Sequence, residues 1–354
     1  MTRIEKLQAR LKAEGLDALL INHLKNIRYL TGFTGSFGYA VVTPDSATLY
    51  IDPRYTQQAR LQATTVTVTE TIRDVLKDVL KEINALGSKR VGFEAARMTV
   101  TEFARVQDAL PGVELVRTQN WVEQLRSAKD ETEIAAIRRA VKITDDAYAE
   151  FLTWIKPGMT EREAAAQLEL FQRRAGGDRK PTETVVASGP RSALPHGMAS
   201  DRVIQANEPV MIDIGIVIDG YTSDLTRTVY LGAPPAQFEE IYQVVLDAQA
   251  KAIAGARPGM TGRQIDALAR DYIREAGYGE YFGHALGHSI GLEIHEMPNF
   301  SLYEDSVIQP GAIVTVEPGI YLPGVFGVRT EDNILMTETG CEVLTQSPHD
   351  LKAL

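Results

Sequence analysis

KPGMTEREAAAQLELFQRRAGG, residues 156–177, recurs as RPGMTGRQIDALARDYIREAGY, residues 257–278, with a constant offset (257 minus 156) of 101 residues. Each copy opens with the signature of a helix N-terminus and closes with Ala-Gly. The opening pairs are Thr160 with Glu163 and Thr261 with Gln264. Coincidental similarity between two amphipathic helices is the weaker interpretation, because one offset holds over the whole segment. The repeat predicts a duplicated αβ unit with a pseudo-twofold axis and a functional site at the interface of its two copies.

The segment between the two copies predicts a hairpin that carries two aspartates. Residues 210–230, VMIDIGIVIDGYTSDLTRTVY, are arranged around a central Asp-Gly pair, which favours a two-residue turn. With that turn Asp213 faces Thr226 and Gly215 faces Asp224, so both aspartates lie on one face of the sheet, roughly 7–8 Å apart. The hydroxyl of Thr226 would lie on the same face and could support a metal ligand. Gly215 would leave room for metal ions.

Four carboxylates and one histidine stand in segments that otherwise look like core strands or Gly-rich turns. They are Asp213, Asp224, His288, Glu317 and Glu331. Unpaired carboxylates are almost never fully buried, because removing their charge from water is costly. Two divalent metal ions bridged by the carboxylates would neutralise this cluster and lower the pKa of a bridging water molecule.

The segment GVRTEDNIL, residues 327–335, predicts one continuous strand near the end of the chain. Arg329 and Glu331 are two residues apart and would therefore share a strand face. Asp332 would point to the other face, as a surface or loop-binding acid.

Histidines are concentrated in the same half of the chain. His284, His288 and His295 fall within twelve residues, from a total of six histidines. A lone histidine is usually a packing or surface residue, but this density favours a site. His196, in ASGPRSALPHG, is a fourth candidate.

Composition limits the class of protein. Of the 354 residues 44% are apolar and 24% are charged, which is ordinary for a globular chain. A net charge of −10 argues against nucleic acid or an anionic membrane as a general partner, and no run of apolar residues approaches the ~18 of a membrane helix. Cys341 is the only cysteine and can form no intrachain disulfide, and the N-terminus lacks the apolar core of a signal peptide. We therefore expect a cytoplasmic protein.

Helical and strand patterns alternate over the first part of the chain and end near residue 120. They predict a small α/β domain over residues 1–122 and a second domain over residues 123–354. In the first domain GFTGSFG, residues 32–38, looks superficially like a phosphate-binding loop. It lacks the lysine and the spacing of such a loop, which favours a flexible turn.

The order of the five candidate ligands resembles that of the metallopeptidases that cleave Xaa-Pro bonds. The contexts that carry the resemblance are DIGIVIDGYTSDLTRT, HALGHSIG, EPGIY and RTED. This group contains aminopeptidase P and prolidase and is related to methionine aminopeptidase and creatinase. The resemblance is close over the second half of the chain and looser over the first, through NIRYLTGFTGSFG and PRYTQQA. It implies an α/β (α+β) protein in which a small creatinase-like N-terminal domain precedes a duplicated "pita-bread" catalytic domain.

The resemblance also implies a metal site. Asp213 and Asp224 would bind one ion, with Asp224 reaching the second. His288 would bind one ion alone, while Glu317 and Glu331 would complete the shell, with Glu331 bridging. Two Mn²⁺ ions are expected, and Co²⁺ or Zn²⁺ would suit the same donors.

Catalytic and substrate-binding roles follow from the same resemblance. Attack by a hydroxide that bridges the two ions is implied, with Glu317 passing its proton to the leaving proline nitrogen. His196 and His295 would contact the substrate and stabilise the intermediate or the leaving group. His284 would line the proline pocket. Tyr321 and Arg329 would orient the substrate or support the ligands, unless Arg329 simply neutralises Asp213 or another carboxylate.

The implied reaction is hydrolysis of the Xaa-Pro bond at the N-terminus of proline-containing peptides. The compact length and RYLTGFTGS favour an Xaa-Pro aminopeptidase of the aminopeptidase P type; the alternative is an Xaa-Pro dipeptidase (prolidase). A dipeptidase needs a cation for the proline carboxylate or a wall against longer peptides. The extra N-terminal domain disfavours methionine aminopeptidase, and the complete ligand set disfavours a creatinase-like hydrolase or a non-catalytic peptide-binding module. A homodimer is expected, with residues 32–38 reaching the neighbouring active site.

Overall fold

The structure, a computed structural model, describes residues 1–354, and the chain divides into two compact units, Met1–Arg126 and Ser127–Leu354. Both units combine helices with sheets, which confirms the predicted α/β (α+β) class. The domain boundary predicted after residue 122 lies within the last helix of the first unit. None of the helices has the length and hydropathy that crossing a membrane would need.

The first unit is built on a six-stranded mixed sheet with apolar side chains buried against it. Its helices are α1 Arg3–Glu14, α2 Leu24–Thr31, α3 Thr56–Gln62, α4 Val75–Ala85, α5 Val100–Ala109 and α6 Trp121–Arg126. Its strands are β1 Ala18–Ile21, β2 Tyr39–Val42, β3 Ala47–Ile51, β4 Thr67–Glu70, β5 Arg90–Glu94 and β6 Glu114–Thr118, in the order β4-β3-β2-β1-β5-β6. Leu20 and Val91 of the sheet pack in one cluster with Val79 and Ile83 of α4. Burial of these side chains stabilises the unit.

The second unit contains four long helices and several short sheets. Its helices are α7 Glu131–Leu152, α8 Glu161–Arg174, α9 Ala236–Gly255 and α10 Gly262–Glu275. Its strands are β7 Val185–Ser188, β8 Glu208–Ile214, β9 Val217–Ile218, β10 Tyr221–Thr222, β11 Leu225–Leu231, β12 Gly287–Ser289, β13 Glu296–Phe300, β14 Ile313–Val316, β15 Gly319–Leu322, β16 Phe326–Arg329, β17 Asp332–Met336 and β18 Cys341–Val343. The two larger sheets have the orders β11-β8-β7 and β13-β12-β14-β17-β18.

The internal repeat is a structural duplication, as predicted. Helix α8 and helix α10 occupy matching positions in the two copies, and each begins with a capping box. In the first copy α7 and α8 precede β7 and β8; in the second α9 and α10 precede β12 and β14. Leu168 of α8 lies in the core of the first copy and Ile265 of α10 in that of the second. Each pair of helices therefore covers the strands that follow it.

The hairpin has the predicted register. Asp219 and Gly220 both have positive φ angles, 47° and 78°, as a tight type I′ turn requires. Asp213 pairs with Thr226, as predicted. The prediction that Gly215 leaves room for metal ions is wrong, however. A Cβ atom there would overlap the backbone carbonyl oxygen of Ser223, so glycine is needed for the close approach of the two strands.

The single strand predicted over GVRTEDNIL is wrong. The chain forms two strands of different sheets, β16 and β17, with Thr330 and Glu331 between them. Asp332 is fully buried rather than a surface acid, and it pairs with Arg227 at 2.8 Å. Local alternation could not show this, because the arginine comes from β11.

Candidate metal centre

Both copies of the repeat contribute to one cavity of about 520 Å³. The five predicted ligands all line it, and each lies at or near the end of a strand. They are Asp213 on β8, Asp224 directly before β11, His288 on β12, Glu317 directly after β14 and Glu331 between β16 and β17. The β8–β11 hairpin thus supplies two of them and the second copy supplies three.

The donor atoms of these side chains form one cluster. Those of Asp224, His288 and Glu331 lie within 4.8 Å of one another. His288 Nε2 lies 3.7 Å from Asp224 Oδ2 and 3.4 Å from Glu317 Oε1. Asp213 is turned towards Arg329, whose Nη2 donates to Asp213 Oδ2 at 2.5 Å. Arg329 therefore neutralises Asp213, which is one of the two roles left open by the sequence.

His288 faces this cluster as a hydrogen-bond acceptor. Burial lowers its pKa to about 3, so the ring is neutral near pH 7. Its Nδ1 lies 3.3 Å from the carbonyl oxygen of Ser289, a contact that requires the proton on Nδ1. Nε2 then directs a lone pair at the carboxylates of Asp224 and Glu317. No proton of His288 lies between Nε2 and these carboxylate oxygens, so the electron-rich atoms face one another. A bound cation would stabilise this arrangement.

The ionised forms of the carboxylates are also unfavourable in this cluster. Burial, together with the neighbouring negative charges, raises the pKa of Asp224 and of Glu331 well above their ordinary values. Burial also raises the pKa of Glu317 to about 7. Glu331 Oε2 accepts a hydrogen bond from Thr226 at 2.7 Å, but its buried Oε1 has no hydrogen-bond partner. Several acceptors facing one another with an orphaned oxygen fit a divalent cation, and a mixed carboxylate and imidazole donor set is one that Mn²⁺, Co²⁺ and Zn²⁺ all accept.

Arg329 is the only arginine that lines the cavity, and no lysine does so. It is almost fully buried, and each of its nitrogens is already engaged. Besides Asp213, its acceptors are Thr226 Oγ1 at 3.1 Å, the Pro195 carbonyl oxygen at 2.8 Å and Tyr321 Oη at 3.0 Å. The cavity therefore offers no free guanidinium or ammonium group to a bound molecule.

His284 and Tyr321 continue the network from Arg329. Tyr321 Oη accepts from Arg329, so its own proton points to His284 Nε2 at 2.8 Å. His284 then donates from Nδ1 to the Ala285 carbonyl oxygen, also at 2.8 Å. Burial lowers the pKa of His284 to about 4, which keeps the ring neutral. With both nitrogens occupied, this imidazole can offer only its ring surface to a substrate.

His196 and His295 are the accessible imidazoles of the cavity. The ring of His295 packs edge-on against that of His288, with centroids 4.3 Å apart. Burial lowers the pKa of His295, so it is neutral near pH 7 and can donate one hydrogen bond.

Several lining residues were not found from the sequence. They are Thr182, Glu183, Val185, Met198, Ile294 and Asn299. A signal existed for three of them, because β7 places Val185 opposite Asp213, and β13 places Asn299 opposite His288. Predicting those strand pairs would have located Glu183, Val185 and Asn299 at the site.

Comparison with known proteins agrees with this geometry. Residues 135–338 match the model of metallopeptidase family M24, and residues 3–128 match the creatinase/prolidase N-terminal domain. The chain is similar to an Xaa-Pro dipeptidase of Bacillus anthracis (42% identity, 99% of each chain, TM-score 0.97). It is also similar to an X-Pro aminopeptidase of Thermotoga maritima (40% identity, 100% of each chain, TM-score 0.92). An Xaa-Pro dipeptidase of Pyrococcus horikoshii is 37% identical over 99% of this chain and 98% of that protein.

The match to the catalytic-domain model covers more than half of the chain, and the relatives align with it from end to end. The resemblance inferred from the ligand contexts is thus confirmed, and with it the pita-bread fold. The protein is an enzyme, a hydrolase that belongs to metallopeptidase family M24.

Proposed function

We propose that the protein is an Xaa-Pro dipeptidase (prolidase) that uses two divalent metal ions. The main support is that an intact set of carboxylates and one imidazole converges on a single cavity, in a chain similar along its whole length to Xaa-Pro dipeptidases. The sequence alone favoured aminopeptidase P, and these relatives favour its alternative instead. The substrates would be dipeptides whose second residue is proline.

An Xaa-Pro aminopeptidase is the second candidate, for a specific reason. A dipeptidase has to hold the carboxylate of the C-terminal proline, yet each nitrogen of the Arg329 guanidinium already bonds to an acceptor of the protein and no lysine lines the cavity. In a dipeptidase the carboxylate would be received by neutral donors, for which His196, His295 and Asn299 are available. The T. maritima relative is named an X-Pro aminopeptidase, so only an assay separates the two activities.

Asp213, Asp224, His288, Glu317 and Glu331 would hold the metal ions. When bound, divalent ions would polarise the scissile carbonyl group and supply a nucleophile from water at neutral pH. Mn²⁺ is our first choice on the donor set, with Co²⁺ and Zn²⁺ as alternatives.

Glu317 is proposed to move the proton that the leaving nitrogen requires. Its side chain is only 16% exposed, and Thr315 Oγ1 donates to Glu317 Oε1 at 3.1 Å, which helps to hold the carboxylate in place. A positioned carboxylate can take a proton from water and pass it to the proline nitrogen. His196 and His295 would donate hydrogen bonds to the developing oxyanion or to the substrate carboxylate.

His284, Tyr321 and Arg329 are proposed to shape the proline side of the cavity. Since both nitrogens of His284 are engaged, its ring would pack against the pyrrolidine. Tyr321 and Arg329 would keep that ring and Asp213 in place. A homodimer in which residues 32–38 approach the partner's site stays a proposal that rests on the family resemblance.

The deciding experiment compares Ala-Pro with Ala-Pro-Ala as substrates of metal-stripped enzyme, with and without added Mn²⁺. We expect metal-dependent hydrolysis confined to Ala-Pro. Release of alanine from Ala-Pro-Ala at a similar rate would establish the aminopeptidase instead. Asp224→Asn should abolish turnover of either peptide, whereas the matched control Asp305→Asn, in an exposed ion pair with Arg263, should not. Full activity in Asp224→Asn would refute the proposed metal site.

A further inference from the structure

Glu183 stands at the mouth of the cavity because of the pairing between β7 and β8. Val185 begins β7 and lies directly opposite Asp213, and both line the cavity. Glu183 precedes Val185 by two residues and also lines the cavity. Its carboxylate therefore opens onto the same cavity as the four carboxylates at the bottom.

This carboxylate differs from the other acids of the cavity. Asp213, Asp224, Glu317 and Glu331 are the proposed ligands, and their charge would be matched by metal ions and Arg329. Glu183 is the remaining carboxylate in the lining, and its side chain is 67% exposed. It is consequently the charge that an arriving substrate meets at the mouth.

One lysine compensates Glu183 only in part. Lys180 Nζ lies 2.6 Å from Glu183 Oε2 and 3.0 Å from Glu169 Oε1. Two carboxylates thus share a single ammonium group. A second cation that approaches Glu183 gains an ion pair, while Lys180 keeps its contact with Glu169.

We propose that Glu183 makes the enzyme prefer a lysine or arginine as the residue before proline. The inference rests on the proposed function, since it names the class of Xaa-Pro substrate. The methylene groups of such a side chain would lie along Val185, and its charged end would reach Glu183 at the mouth. Glutamate before proline would be disfavoured by the same charge.

The test measures kcat/KM for Lys-Pro, Leu-Pro and Glu-Pro in wild type and in Glu183→Gln. We expect wild type to prefer Lys-Pro over Leu-Pro by about two- to fivefold, which is the range of one exposed ion pair. The ratio should fall towards one in Glu183→Gln and also at high salt, because ions screen an exposed pair. Glu150→Gln, an exposed substitution on α7, is the control and should keep the wild-type ratio.

A second variant tests the sign of the effect. Lys180→Gln removes the compensating ammonium group and should raise the ratio of Lys-Pro to Leu-Pro above that of wild type. A wild-type ratio of one, or a ratio that Glu183→Gln leaves unchanged, overturns the inference while the dipeptidase function stands. Failure to hydrolyse any Xaa-Pro dipeptide in the presence of metal would refute the proposed function itself.

Discussion

The buried hydroxyl group of Thr226 links Glu331 to Arg329. It donates to Glu331 Oε2 at 2.7 Å and accepts from Arg329 Nε at 3.1 Å. Thr226→Val keeps the shape of the side chain and removes both hydrogen bonds. We expect the affinity for Mn²⁺ to fall about 10- to 100-fold, as when other supporting partners of metal ligands are lost. Titration calorimetry on metal-stripped protein measures it.

Thr228→Val is the matched control for this substitution. Thr228 is also buried on β11, but its hydroxyl bonds only to the backbone nitrogen and oxygen of Arg329, at 3.1 and 3.0 Å. Either variant should lose about 1–3 kcal/mol of unfolding free energy, because a buried partner is left unsatisfied. Only Thr226→Val should lose metal affinity as well. Equal losses of affinity in the two variants would contradict a specific role for the Thr226 hydroxyl.

At the scale of secondary-structure elements, Gly215 sets how closely the two strands of the hairpin approach each other. A Cβ atom there would overlap the carbonyl oxygen of Ser223 and lie 2.8 Å from Pro181 Cγ. Because Asp224 follows Ser223 directly, Gly215→Ala should displace a proposed ligand as well as strain the sheet. We expect a loss of about 1–3 kcal/mol in stability and up to ~100-fold in kcat/KM on Ala-Pro.

The control for this element is Gly340→Ala. Nothing lies closer than 3.7 Å to a Cβ atom at that position, so the substitution should change neither quantity. Thermal unfolding of the two variants measures the change in stability, and steady-state kinetics measure the change in kcat/KM. Wild-type kinetics in Gly215→Ala would mean that the strands can separate without moving Asp224.

Elements fixed by local signals were predicted well from the sequence. The repeat and the hairpin register depend on caps, turns and alternation, which neighbouring residues determine. Helix α2 has no comparable local signal. It has only eight residues, and His23 at its N-cap makes no side-chain capping bond, so its start carries no signal. The break between β16 and β17 was missed because each strand pairs with a different sheet.

At the scale of the whole molecule, the ligand set could be proposed in advance because charged residues stand out in apolar segments. Two supporting roles, those of Thr226 and Arg329, could be proposed as well, but other contacts could not, since they join distant parts of the chain. Asp332 is paired with Arg227, and His349 Nε2 lies 3.0 Å from Asp332 Oδ2, but neither residue is near it in the sequence. His349 had no context on which to assign a role. Glu183 and Asn299 became visible only through strand pairing.

Glu161 links three parts of the first copy and should influence the stability of the whole molecule against acid. Its buried carboxylate accepts hydrogen bonds from Ser188 N at 2.8 Å and from Ser200 Oγ at 2.6 Å. Burial alone would raise its pKa, but the hydrogen bonds from Ser200 and Ser188 outweigh burial and hold the pKa below the ordinary 4.5. The folded state therefore favours the ionised form.

A pKa that is lower in the folded state has a definite consequence for stability. The contribution of Glu161 is fully present above about pH 4.5 and is lost as the pH falls through the folded pKa. Glu161→Gln should lower the free energy of unfolding by about 2 kcal/mol near pH 7, and this difference from wild type should shrink in acid. Urea unfolding at several pH values measures it. Glu150→Gln, an exposed substitution on α7, is the control, because it removes a carboxylate without breaking the hydrogen bonds to Ser188 and Ser200. A difference between wild type and Glu161→Gln that stayed constant down to about pH 3 would mean that the carboxylate is not held ionised by its serine partners.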